Sequence, residues 1–205
     1  MNIESDIALP SYPEGYQLQT KRLQLRAIAP GDAKELWPLM SDPRLTTFLA
    51  WEPHKSVEET EGMIRALAEA QQSGNGFHWV VIHAGKIIGI VSLIDVRRKH
   101  RCWTLNRTEL AYWIGLPYQG SGFATEAAAA IMEFGFTRLH FHKMRVYHAA
   151  DNPPSGRTIE KLGFRFVGEE RDSFQKDNVW HNLRHFEMLS TELPQTVINS
   201  MRSVE

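Results

Sequence analysis

Cysteine is nearly absent, with Cys102 alone among 205 residues. A single thiol excludes an intrachain disulfide framework, and with it the small secreted scaffolds such frameworks hold together. An excess of either charge is also missing. Twenty-three Lys and Arg stand against 24 Asp and Glu, a formal net charge of −1, so no global field draws the chain to nucleic acid. No apolar run is long enough to span a bilayer. The opening stretch MNIESDIALPSYPEGY lacks the basic region and apolar segment of a secretory leader. There is no internal repeat and no low-complexity tract. These absences predict a cytoplasmic protein with neither a membrane nor a specific nucleic acid among its partners.

What is present fits one globular domain. Hydrophobic residues make up 42% of the chain and charged ones 23%, ordinary values for a chain long enough to bury a sizeable core. Residues 1–17 and 194–205 read as tails and 18–193 as the domain. Arg22–Ile28 alternates like a strand. Asp32 can cap the helix that follows. Thr46–Ser56 is an irregular link carrying Phe48 and Trp51, and Ser56 with Glu59 forms a capping box for a helix ending near Ser73. FHWVVIH and KIIGIVSLI flank Ala84-Gly85 as a β-hairpin. A basic loop, Arg97-Arg98-Lys99-His100-Arg101, precedes the strand Thr108–Ile114. Alternation sets Leu110, Tyr112 and Ile114 on one strand face and Glu109, Ala111 and Trp113 on the other.

That strand runs into a glycine turn, Gln119-Gly120-Ser121-Gly122-Phe123-Ala124, and then an alanine-rich helix with the stripe Phe123, Ala127, Ile131 and Phe134. Lys143–Ala149 is a strand, Asn152 to Gly163 a short capped helix, and two strands joined at Asp177-Asn178 close the fold. The order is that of one mixed α/β layer structure, without the long regular alternation of a doubly wound dinucleotide domain.

A helix N-terminus behind glycines presents unpaired amides and partial positive charge, and phosphates suit it. Such a turn also occurs with no ligand. The third glycine and the downstream acidic residue of a dinucleotide fingerprint are missing, as is the Gly-Lys-Ser/Thr of a P-loop. A different pyrophosphate carrier remains open.

The residues resemble a family at this point. Gln-x-x-Gly-x-Ala after Tyr-Trp-Ile is similar to the acyl-CoA pyrophosphate motif of the GNAT N-acetyltransferases. Asn152-Pro-Pro-Ser155 followed by Glu160-Lys161-Leu162-Gly163-Phe164 is similar to a second motif of that superfamily. TKRLQLRAI and FLAWEPHKSVEE resemble the branch that acetylates N-termini of ribosomal proteins. The resemblance spans about Leu18 to Leu193. It implies an α/β single-domain GNAT fold: a mixed, mostly antiparallel sheet of about seven strands, splayed at the cofactor site, with about four helices.

It also implies acetyl-CoA as cosubstrate, held by the backbone near Trp113 and Ile114, by Gln119, Gly120, Ser121, Gly122, Phe123, Ala124 and Thr125, and by Asn152 and Arg157. Family members often carry a basic residue where Ser121 stands, so backbone amides must do more here. The acceptor implied is a primary amine, first a protein N-terminus, otherwise a polyamine, antibiotic or amino-acid-like amine; a non-catalytic acyl-CoA sensor is a further alternative. An amine attacks only when neutral, and an N-terminal amine, with a pKa near 8, needs less help than lysine near 10.4. Glu109 is the candidate base, about 13 Å along the strand from Trp113, a spacing that suits a water relay. Ser155 is the candidate acid, Tyr147 a rival. Phe48 and Trp51 are candidates for the acceptor wall. His181 and His185, four apart on a strand, lie too far apart to share an ion, so no metal is expected. The chain is expected to be a monomer or homodimer.

Overall fold

Two tight turns fix two antiparallel registers of the sheet. Ala84 and Gly85 have φ of 48° and 76°, and Asp177 and Asn178 have φ of 50° and 62°. Two left-handed residues in a two-residue loop match the twist of antiparallel strands. The computed structural model describes residues 14–194 and Val197; the remainder of both expected tails lies outside the described residues. Eight strands form one sheet: β1 (Leu18–Gln19), β2 (Gln24–Ala27), β3 (Phe77–His83), β4 (Lys86–His100), β5 (Trp103–Ile114), β6 (Lys143–Ala149), β7 (Arg165–Lys176) and β8 (Val179–Leu189). The spatial order is β1-β2-β3-β4-β5-β6-β8-β7. Every pair is antiparallel except β5 with β6.

Five helices accompany it: α1 (Ala33–Met40), α2 (Pro43–Thr46), α3 (Val57–Gln72), α4 (Phe123–Thr137) and α5 (Pro153–Lys161). The strand and helix beyond the expected seven and four are β1 and the single turn α2, both too short to show a period. The α/β architecture with a mixed, mostly antiparallel sheet is as the sequence predicts.

The helices sort to two faces. α4 and α5 cover one, in a core that includes Phe77, Trp79, Leu93, Leu110, Ile131, Met144 and Ile159. Ala127 to Met132 are all buried, and the small alanines let α4 lie close to the strands. Tyr16 is 2% exposed, and its carbonyl accepts from Trp79 Nε1 at 2.9 Å, so the residue joins this core ahead of β1. α1 and α3 cover the other face through Leu36, Met40, Ile64, Val80 and Ile90.

Two expectations are corrected. Asp32 does not cap α1 with its side chain. Its carboxylate takes Nη1 and Nη2 of Arg26 at 2.8 and 2.6 Å and the Ala29 amide at 2.8 Å, which ties the end of β2 to the start of α1. The basic stretch 97–101 is not a loop: Arg97 to His100 extend β4, and the turn falls at Arg101 and Cys102. Its charge is partly committed inside the molecule. Arg97 pairs with Asp95 at 2.7 Å, and Arg98 lies 4.1 Å over the Phe141 ring while donating to Asn106 and to the Leu139 carbonyl.

His78, 3% exposed, sits 2.9 Å from the Ser92 hydroxyl. Burial disfavours the imidazolium and brings its pKa down to about 4 from 6.5. The unfolded chain therefore binds a proton at a higher pH than the fold does. Stability is whole above pH 6.5 and falls by about 3 kcal/mol as the pH drops to about 4. Urea melts at pH 7, 6, 5 and 4 should show this decline in the wild type and a shallower one in His78→Gln. Equal slopes would exclude His78 as its source.

Candidate active site

β5 and β6 begin as partners and then part. Their parallel register is Arg107 with Lys143, Thr108 with Met144 and Glu109 with Arg145, and there it stops. β5 continues through Leu110–Ile114 on the ladder of β4, and β6 through Val146–Ala149 on the ladder of β8. Each strand is held on its outer edge and opens toward the other. Backbone donors and acceptors in a gap need partners, so the fork is built for a guest that pairs like a strand. Gly89 lets β4 follow β5 to the end, since a Cβ there would stand 2.2 Å from the Trp113 carbonyl oxygen.

Glu109 occupies the last paired position, at the apex. It is 9% exposed and faces an open pocket of about 450 Å³ lined by Arg107, Lys143, Arg145, Tyr147, His185 and Glu187, among others. Arg145 gives its closer contact to Asp95 at 2.9 Å and stands 3.8 Å from Glu109. Burial raises the Glu109 pKa above the ordinary 4.5, while the hydrogen bond from Tyr147 and the charge of Arg145 pull the other way. Tyr147 is itself pushed up to about 12 by burial and by the Glu109 carboxylate. It is therefore a poor acid, which weakens its candidacy as the group that protonates a leaving thiolate.

Ser155 lies across the sheet from Glu109. Asn152 Oδ1 accepts from the Ser155 amide at 3.3 Å and so caps α5. The Ser155 hydroxyl is 3.2 Å from the Tyr112 hydroxyl, which also lies 3.3 Å from the Ser155 carbonyl oxygen. Tyr112 projects from β5 toward the α4/α5 core, and burial keeps its phenol protonated by raising its pKa. A hydroxyl pair thus spans the mouth of the fork on one face, and a carboxylate closes its apex on the other. Sequence reasoning missed Tyr112, because its partner is 43 residues away. Arg157 is exposed on α5.

The glycine turn has the expected form. Gly120 and Gly122 are left-handed at φ 77° and 79°, and Gly122 is the N-cap of α4. Glu126 N bonds the Gly122 carbonyl, so the amides of Phe123, Ala124 and Thr125 precede the first intrahelical bond. Ser121 and Gly122 are exposed. Gln119, also exposed, folds back along the chain, its Nε2 donating to the Ile114 carbonyl at 2.8 Å. That bond uses one of the two lone pairs of the Ile114 carbonyl.

Phe48 and Trp51 meet different rings. Trp51 packs 6.1 Å from Trp113 and 5.4 Å from His54, and Phe48 meets His181 edge-on at 6.5 Å. Both sit on a link fastened from the far end of the chain. Lys176, next to the β7–β8 turn, donates to the carbonyls of Thr46, Leu49 and Trp51 at 2.7, 2.8 and 3.0 Å. His181 pairs with Asp151 at 2.9 Å and His185 with Glu170 at 3.0 Å. Cys102 is exposed. No helix among the described residues is long and apolar enough to cross a membrane.

The profile of the acetyltransferase (GNAT) domain matches residues 22–165. An uncharacterized N-acetyltransferase, p20 of Bacillus licheniformis, is 29% identical over 76% of this chain and 85% of its own. The spermidine N(1)-acetyltransferase of Vibrio cholerae is 26% identical over 83% and 95%. The [ribosomal protein uS5]-alanine N-acetyltransferase of Escherichia coli is 27% identical over 81% and 87%. Among solved structures, Mycobacterium smegmatis RimJ in complex with CoA-disulfide superposes with a TM-score of 0.81 at 20% identity, over 95% of this chain and 96% of that one.

Tyr147→Phe deletes a hydrogen bond that favours the charged form of Glu109. The Glu109 pKa should rise further above its ordinary range in a carboxyl-carbon NMR titration. An unchanged or lower value would mean that the phenol does not serve the carboxylate.

Proposed function

The chain belongs to the GNAT acetyltransferase family, and from that premise we propose that it moves the acetyl group of acetyl-CoA to the N-terminal α-amine of a protein, a ribosomal protein first among candidates, with Glu109 as base. The observation that carries this reading is a buried carboxylate at the apex of a strand fork, facing an open groove that is not acidic. That groove holds the cations Arg107, Lys143 and Arg145 against the carboxylates Glu109 and Glu187. A polyamine would call for an excess of anions. A peptide with a single amine does not.

The residues fit the donor. The open edges of β5 and β6 accommodate an extended amide chain, and the turn before α4 offers amides to a pyrophosphate. Acetyl-CoA supplies a thioester carbonyl, whose C–S bond breaks as the new C–N bond forms. Glu109 takes the amine proton through water, from the α1/α3 face. An α-amine near pKa 8 is partly neutral at pH 7, so a carboxylate with a raised pKa suffices, whereas an amine near 10.4 would demand more. Ser155 delivers a proton toward sulfur from the α4/α5 face, and the Tyr112 hydroxyl orients it. Trp51 and Trp113 wall the acceptor approach. In this reading the enzyme works in the cytoplasm, consistent with its single exposed thiol.

Peptides beginning with Ala or Ser should be acetylated on their α-amine in a thiol-release assay confirmed by mass spectrometry, and spermidine should react poorly. Glu109→Gln should lower kcat by about 10²–10³-fold with acetyl-CoA binding retained. The wild-type rate should climb with pH through the raised pKa of Glu109, because the ionised form is the working one. Fast acetylation of spermidine beside inert peptides would overturn the choice of acceptor. Full activity of Glu109→Gln would remove the base.

A further inference from the structure

The pyrophosphate turn has no cation of its own. Residues 119–125 are Gln, Gly, Ser, Gly, Phe, Ala and Thr, and the next residue, Glu126, is acidic. An uncompensated carboxylate in the first turn of α4 would repel a pyrophosphate approaching the same amides. The structure brings in a positive group from about a hundred residues away. Arg22, in the turn between β1 and β2, donates from Nε to Glu126 Oε2 at 2.6 Å and from Nη1 to the Ser121 carbonyl at 2.9 Å. Its guanidinium carbon lies 4.6 Å over the Phe123 ring. Glu126 Oε1 also accepts from the Arg22 amide at 2.8 Å and from the Thr20 hydroxyl at 2.7 Å.

We propose that Arg22 is the cation of the coenzyme A pyrophosphate site. This rests on the reading of the turn given above. Three contacts hold the guanidinium flat against the turn: Phe123 beneath it, Glu126 beside it and the Ser121 carbonyl at one end. They leave Nη2, whose N–H donors bond no described group. Nη2 lies 3.6 Å from where a Cβ of Gly122 would stand, at the edge of the turn. The side chain remains 40% exposed, open to an incoming anion. The arrangement acts twice. It neutralises Glu126, and it presents a preorganised, charge-assisted donor to a phosphate oxygen next to the free amides of α4. The Ser121 carbonyl, drawn toward Arg22, is also kept from turning toward the anion.

The test is calorimetric and needs no acceptor. Binding of CoA and of dephospho-CoA, which keeps the pyrophosphate but lacks the 3′-phosphate, is measured on wild type and four variants. Arg22→Ala should weaken both ligands by about tenfold and to the same extent, and Arg22→Lys should recover part of the loss. Arg22→Ala with Ser121→Lys, which returns a cation to the turn by another route, should recover most of it. Arg22→Ala with Glu126→Gln restores the net charge without the donor and should recover only part. Thermal melts establish that each variant is folded.

Unchanged affinity in folded Arg22→Ala would overturn the proposal. So would a loss confined to CoA, which would move the contact to the 3′-phosphate, or full recovery by Glu126→Gln, which would leave Arg22 with no direct part. Failure of wild type to bind either ligand would remove the cofactor reading beneath it, an outcome distinct from failure of Arg22 alone.

Discussion

The separation of β5 from β6 after three register positions is the constraint on which the remaining site depends. Two strands that stay paired offer no backbone to a ligand. Two strands without outer neighbours would not hold an opening. Here β4 keeps β5 straight as far as the pairing of Gly89 with Ile114, and β8 keeps β6 straight as far as Ala149 with Leu183. The α4 crossover then leaves from the far end of β5, so the amides of the helix start lie beyond the fork's open end, where an extended ligand emerging from it would arrive. The Tyr112–Ser155 pair reaches across that opening on the α4/α5 face, and Glu109 marks where it closes.

Charge at the apex is balanced rather than neutralised. A tight bidentate Arg–Glu109 pair would hold the carboxylate ionised but too weakly basic to accept a proton. A bare buried carboxylate would be protonated too readily. Arg145 instead spends its closer contact on Asp95 and remains at 3.8 Å from Glu109, while Tyr147 supplies one neutral hydrogen bond. Burial prevails, and the pKa moves upward from the ordinary value without losing all compensation. The same logic runs at the turn before α4, where Glu126 is answered by Arg22.

Local signals carried most of the fold. The turns at Ala84-Gly85 and Asp177-Asn178, the Ser56 cap and the glycines before α4 act over a few residues, and the structure has each where the sequence puts it. Glu109 and Trp113 were legible as one strand face because the period of two is local. What escaped was set by partners distant in sequence. The run 97–100 reads as a loop because of its charge, yet Asp95, Phe141 and Asn106 absorb part of that charge and the hairpin ladder continues through it. Asp32 looks like a cap until Arg26 takes its carboxylate. Arg22 and Tyr112 stand inside stretches that resemble the family, but those stretches do not say what either side chain touches, and Lys176 stands in none. Each becomes meaningful only beside Glu126, Ser155 or the 46–51 link.

Lys176 shows how far such a partner can reach. Its ammonium has three donors, and three carbonyls accept them, at and just beyond the C-terminal end of the single-turn helix α2. A helix of four residues cannot be stable on its own, and the link after it has no regular backbone ladder. The side chain of Lys176 is 10% exposed, with Glu52 at 3.6 Å, so the ammonium is largely withdrawn from water and its three bonds are correspondingly demanding. They bind the segment that carries Phe48 and Trp51 to the hairpin that carries Phe174 and His181, whose rings stack at 4.9 Å. Residues 46–51 and 174–181 are therefore packed against each other, and a single lysine joins them. The spacing of the two elements is set by hydrogen bonds to backbone carbonyls rather than by acidic side chains.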